Sequence, residues 1–69
     1  MSVYKVIEII GTSKVGWDDA AKNAMAVAAE SLRDLRVAEV LQMDLAIGPK
    51  GDIEAFRTKL RVSFKYEGT

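Results

Sequence analysis

The chain has 69 residues, and its ten lysines and arginines cancel its ten aspartates and glutamates. It contains neither cysteine nor histidine. That excludes disulfide frameworks, thiolate or imidazole metal sites and the commonest general base, and it leaves hard cations held by oxygen as the metals such a chain can bind.

The balanced charge supplies no field to draw in nucleic acid. The length corresponds to one domain covering residues 1–69. A domain of this size buries only about 60% of the surface of its extended chain and is marginal alone. With disulfides excluded, association with further copies is the support that remains. No apolar run approaches membrane-spanning length and no targeting pattern occurs, so a soluble, cytoplasmic protein with no membrane partner is expected.

Val3 to Ile10 is rich in β-branched and aromatic residues and predicts a first strand. Its alternation is imperfect: Val3, Ile7 and Ile9 share one face while Val6 and Ile10 share the other. A strand apolar on both faces implies that both meet protein. Gly11-Thr12-Ser13-Lys14-Val15-Gly16 reads as the connection to a helix, since it lacks the GxxxxGK[ST] order of a phosphate loop.

From Trp17 to about Leu35 the apolar residues fall on one arc when placed at roughly 100° per residue. Trp17, Ala20, Ala21, Ala24, Met25, Val27, Ala28, Leu32 and Leu35 occupy it, and Asp18, Asp19, Lys22, Asn23, Glu30, Arg33 and Asp34 hold the opposite side. The middle of the arc is mostly alanine, which permits close approach to a sheet. Asp18 and Asp19 suit the positive end of the helix dipole and Arg33 the negative end.

Arg36 to Ile47 predicts a second strand, with Val37, Glu39, Leu41, Met43, Leu45 and Ile47 on one face and Arg36, Ala38, Val40, Gln42, Asp44 and Ala46 on the other. Gly48-Pro49-Lys50-Gly51-Asp52 supplies a turn. Ile53 to Tyr66 predicts the third strand, in which Phe56, Thr58, Leu60, Val62, Phe64 and Tyr66 alternate with Arg57, Lys59, Arg61, Ser63 and Lys65.

The order β-α-β-β is an α+β arrangement. A helical crossover leaves the first two strands parallel, the hairpin reverses the third, and inserting the third between them makes every neighbouring pair antiparallel. A helix of about 19 residues does not cover strands of a dozen or more, so the overhang is expected to meet another copy.

The run Val3-Tyr4-Lys5-Val6-Ile7-Glu8-Ile9-Ile10-Gly11-Thr12-Ser13, followed by an alanine-rich helix, resembles the opening of dodecins. Val37-Ala38-Glu39-Val40 resembles the start of their second strand, and Phe56-Arg57-Thr58 through Val62-Ser63-Phe64 resembles their last. The resemblance spans essentially the whole chain. It implies a three-stranded antiparallel sheet partly wrapped around one helix. It also implies twelve copies assembled into a hollow homododecamer, and non-catalytic storage of a flavin (FMN or riboflavin) bound in pairs at subunit contacts.

A flavin ring needs an aromatic face to stack on and a side-chain amide at its edge. At the matching positions this chain carries Val37 in place of the tryptophan and Arg57 in place of the glutamine. Valine offers no π face and arginine only donors, although a guanidinium can itself lie over a ring. In lacking both residues, and in its tryptophan at the helix start, the chain is similar to dodecins linked to calcium. Two readings therefore stand: a flavin-storing dodecin with an altered site, and a flavin-free structural or calcium-binding shell.

Other residues carry alternatives of their own. Trp17 either anchors the helix start or stacks a ligand. Arg57, Lys59, Arg61 and Lys65 either bind a phosphate-bearing ligand or pair with Glu39, Asp44 or Glu54 across strands or subunits. Asp44, Asp52 and Glu54 flank the hairpin and are the candidate oxygen donors to calcium, without EF-hand spacing. Met25 and Met43 are read as core. Ser13, Ser31 and Ser63 have no histidine to activate them and Lys14 no motif around it, so an enzyme is not expected.

Overall fold

The computed structural model describes residues 2–66. Four elements follow in order: β1 (Tyr4–Ser13), α1 (Trp17–Ser31), β2 (Leu35–Ile47) and β3 (Ile53–Lys65). They form one three-stranded antiparallel sheet in the order β1-β3-β2, with α1 laid over β1 and β3.

The core follows from the alternation of β3. Thr58, Leu60 and Val62 are almost wholly buried on the helix side, Ala24 of α1 packs with Leu60 and Val62, and Ala20 and Ala28 are buried on the same stripe of the helix. Ile7, Ile9, Ala21, Met25 and Leu35 pack around that centre. The alanine stripe lets the helix sit close, and Gly11 makes the approach possible. A Cβ there would overlap the Ala20 carbonyl oxygen and stand 2.8 Å from the Ala24 Cβ.

Three features differ from the sequence reading. Gly11, Thr12 and Ser13 are not a connection but the end of β1, paired with Thr58, Arg57 and Phe56. The helix stops at Ser31, four residues before Leu35. Leu32 donates its N–H to Ala28 O at 2.9 Å and then turns to extended geometry, and Asp34 adopts a left-handed φ of 55°. Leu35 is thereby released from the helix to pair with Phe64 and join the core. Arg33 accordingly lies outside the helix, whose last turn has no basic residue.

The third difference is the facing of β2. Register shifts between Leu35 and Val37, Val40 and Gln42, and Ala46 and Ile47 interrupt the strict alternation. Ala38, Val40, Met43 and Leu45 stand opposite Val62, Leu60, Thr58 and Phe56 on the helix side. Val37, Glu39, Gln42 and Asp44 stand opposite Ser63, Arg61, Lys59 and Arg57 on the outer side. At the hairpin, Gly51 takes a φ of 84°, where a side chain would be strained.

The molecule is long, 52 × 19 × 17 Å, with a radius of gyration of 14.1 Å, where a compact chain of this length has about 11 Å. Its surface of 5091 Å² exceeds the roughly 4300 Å² expected of a monomer of this mass.

Candidate functional site

The outer face of the sheet carries the chemistry. Residues 57, 59 and 61 of β3 point away from the helix because residues 58, 60 and 62 point toward it. Each cation meets acids from the flanking strands. Arg57 forms a two-pronged pair with Asp44, Nε to Oδ1 at 2.7 Å and Nη2 to Oδ2 at 3.0 Å. Lys59 lies 3.4 Å from Glu8, and Arg61 lies between Glu8 at 3.6 Å and Glu39 at 3.4 Å. The Arg57 guanidinium holds the Asp44 carboxyl below its ordinary pKa, mainly through the hydrogen bonds, and Asp44 raises that of Arg57 in return. The basic row is thus internally compensated from Arg57 to Arg61. Glu8 was not among its expected partners; its signal in the sequence is its even position on β1, opposite Arg61.

Val37 lies on the same outer face, 62% exposed and opposite Ser63. Six residues of β3 separate Ser63 from Arg57, about 20 Å along an extended strand. A single chain therefore does not bring the two flavin-matching positions together. Neither does it gather the three acids expected to hold a metal. Asp44 is committed to Arg57, whereas the carboxylates of Asp52 and Glu54 stand together over Gly48. A Cβ on that glycine would lie 2.9 Å from Asp52 Oδ1 and 3.1 Å from Glu54 Oε2. Among the described residues, no three acidic groups converge within one chain.

Trp17 is the anchor of the helix start. Its Nε1–H donates to Asp44 O at 2.9 Å, its own carbonyl accepts from Thr58 Oγ1 at 2.8 Å, and its ring meets Phe56 edge-on at 5.2 Å. Ser13 Oγ donates to Asp19 Oδ2 at 2.6 Å and accepts from Val15 N at 2.9 Å, tying the end of β1 to the first helical turn. Met25 packs at the core, but Met43, expected there too, is 58% exposed because α1 lies over β1 and β3 and leaves the helix side of β2 largely bare.

A groove of about 620 Å³ runs between α1 and the free edge of β1. Its walls are largely apolar, from Ile7, Ile9, Ile10, Ala24, Val27 and Leu32.

A family model for dodecin matches residues 3–67. The chain belongs to the dodecin family. It is 52% identical over 65 residues to the calcium dodecin of Mycobacterium tuberculosis, covering 94% of this chain and 90% of that protein. It is 37% identical over 67 residues to the dodecin of Thermus thermophilus, covering 97% and 96%. The crystal structure of the M. tuberculosis calcium dodecin, described as calcium-chelating, superposes with a TM-score of 0.87 at 48% identity. It covers 99% of this chain and 96% of that one. The β-α-β-β order and the sheet topology are those of the family's solved structures, including one from T. thermophilus with a TM-score of 0.88. Membership accounts for the Gly11-Thr12-Ser13 strand end and the Ala38-Glu39-Val40 step as parts of a dodecin subunit. No helix among the described residues is long and apolar enough to cross a membrane.

Proposed function

We propose that this dodecin is a non-catalytic subunit of a hollow, cytoplasmic homododecamer that holds a divalent cation, calcium by preference, at its subunit contacts instead of a flavin. The observation that carries this reading is the state of the two flavin-matching positions. Val37 presents no ring to stack on, and both prongs of Arg57 are engaged by Asp44 at 2.7 and 3.0 Å. A flavin edge would have to displace a charge-assisted pair to reach the guanidinium, which neutral hydrogen bonds do not offset.

The elongated shape and excess surface support self-association. The likeness to a calcium dodecin supports the choice of ion. Within this chain, Asp52 and Glu54 are the fitting donors, being hard oxygens side by side on a glycine turn. Calcium takes six to eight oxygens as a rule, so two carboxylates leave ligands for carbonyls, water or a second subunit to supply. Nothing in the arrangement supports acid–base or nucleophilic catalysis. The Asp44–Arg57 pair, whose pKa values are displaced by its own hydrogen bonds, is on the open sheet surface.

Native mass spectrometry of protein purified without added ligand, with an absorbance spectrum of the same sample, tests the reading. Twelve subunits without flavin mass, and a calcium-dependent rise in melting temperature reversed by a chelator, are expected. Twelve subunits loaded with flavin, or flavin uptake at micromolar concentration with no response to calcium, would refute it.

A further inference from the structure

We infer that Trp17 is a positioning residue for ligand choice: its indole N–H fixes the register of the Gln42–Ala46 segment of β2, and that register sets Asp44 against Arg57. This rests on the reading above, in which the occupied guanidinium turns a flavin away, and names the residue that keeps it occupied.

The segment is weakly held by its own ladder. Among the described residues β2 has β3 as its one strand neighbour. Register shifts stand at both ends of the segment, between Val40 and Gln42 and between Ala46 and Ile47. Between them Gln42, Met43, Asp44, Leu45 and Ala46 pair in step with Lys59, Thr58, Arg57, Phe56 and Ala55. A slip of one residue turns every side chain of such a stretch to the other face. Met43 or Leu45 would then stand opposite Arg57, and the guanidinium would be free. Burial does little to resist the slip, because Met43 and Leu45 are 58 and 36% exposed where they are.

Trp17 supplies what burial does not. Its Nε1–H donates to Asp44 O at 2.9 Å, the one side-chain hydrogen bond from α1 to β2 among the described residues. The other helix bonds, through Asp19, Asn23 and the Trp17 carbonyl, go to Ser13, Thr12 and Thr58. The donor is itself fixed from two sides, by Thr58 Oγ1 on its carbonyl and by the Phe56 ring. Successive carbonyls of an antiparallel strand point to opposite edges, so a one-residue slip takes the acceptor away from the indole.

Asp44 is thus gripped twice, by its main chain from the helix and by its carboxylate from Arg57. The other groups around that carboxylate do not replace the arginine. Gln42 Nε2 lies 3.4 Å from it, the neutral Thr12 stands opposite Arg57 on β1, and Lys59 is engaged with Glu8.

Thermal melts of a double-mutant cycle test this. Trp17→Phe keeps a ring against Phe56 and removes the N–H. Asp44→Asn keeps the main-chain acceptor and removes the charge. At neutral pH Asp44→Asn is expected to lower the melting temperature no more than about half as much in the Trp17→Phe background as in the unmodified protein. Thr58→Val is the control, since it unties the Trp17 main chain and leaves the indole N–H, and there Asp44→Asn keeps its full effect. Asp44→Asn alone, with the helix untouched, is expected to red-shift the emission of Trp17, the single tryptophan of the chain. Additive effects in the first cycle, equal coupling in the control cycle, or an unchanged emission would overturn the proposal.

The consequence for ligand choice is read in Val37→Trp, which restores a ring. Adding either Trp17→Phe or Asp44→Asn is expected to tighten FMN binding about fivefold, the worth of one released hydrogen-bond donor, followed by the fluorescence of the flavin. If Asp44→Asn tightens it and Trp17→Phe does not, Trp17 has no part in the choice and the proposal is overturned. If neither does while the melts show coupling, the closed-site reading falls and takes the ligand role of Trp17 with it.

Discussion

Replacing Gly11 by alanine puts one methyl group where the helix passes closest to the sheet. The new Cβ would overlap the Ala20 carbonyl oxygen, lie 2.8 Å from Ala24 Cβ and stand 3.0 Å from the Ala20 carbonyl carbon. Carbon atoms rest at about 3.5–4.0 Å, so the helix must retreat by about 1 Å, and a gap of that size forfeits a quarter to a half of each dispersion contact it opens. The contacts at risk are those of Ala24 with Leu60 and Val62 at the centre of the core, and the burial of Ala20 and Ala28 on the same helix stripe. Backbone atoms cannot rotate out of the way as a side-chain tip can.

Overpacking of this kind costs about 1–3 kcal/mol, and two backbone neighbours place Gly11→Ala near the upper end, less roughly 0.5 kcal/mol regained because alanine suits a strand better than glycine. With an unfolding entropy of roughly 2.1 cal/mol/K per residue, a loss of about 2.5 kcal/mol lowers the melting temperature by about 17 °C. Thermal melts of both proteins at equal subunit concentration, followed by circular dichroism, read this directly, with concentration held fixed because assembly contributes to the midpoint. A variant melting within about 3 °C of the unmodified protein, or above it, would refute the claim that glycine is required for helix–sheet approach.

Leu60→Ala removes the largest side chain of the core, only 2% exposed, and is expected to destabilise by about 2–5 kcal/mol in urea titrations. Asp44 has a lowered pKa in the folded chain, so its pairing stabilises above the carboxylate's unfolded pKa and is lost as pH falls through the folded one. Asp44→Asn should therefore be less stable than the unmodified protein at neutral pH and equal to it in strong acid. A difference independent of pH would remove the pair from the account. The double variant Val37→Trp/Arg57→Gln restores a ring and an amide, together worth about 2 kcal/mol, and should tighten FMN binding about 30-fold in a fluorescence-quenching titration. An unchanged affinity would mean that neither position faces flavin in the assembly. Asp52→Asn/Glu54→Gln should abolish the calcium-dependent rise in melting temperature, while a full response in that variant would move the cation site elsewhere.

The strand and helix content was legible because each element carries its own period. β3 alternates without interruption over Phe56–Lys65, and the alanines of α1 recur every four residues. The site was legible in part: Arg57 and Asp44 were marked as a possible pair and Asp52 was grouped with Glu54 at the hairpin, while Glu8 was not marked as a partner of the basic row, nor was Asp44 seen to be set apart from the other two acids. Local pattern does not show which strand becomes the neighbour of which, so a partner on β1 is invisible until β3 is seated between β1 and β2.

The amino-acid order by itself determined the four elements, the antiparallel hairpin of the last two strands, the need for glycine at the hairpin, and the loss of an aromatic and an amide at the two flavin-matching positions. Only the tertiary structure decided where the helix ends and which way β2 faces. Both depend on pairing with β3: Leu35 leaves the helical arc because Phe64 and the core compete for it, and the register shifts turn Met43 to the helix side and Asp44 to the outer side. An alternation read from β2 alone assumes a regular ladder, and a bulge is a property of two strands together.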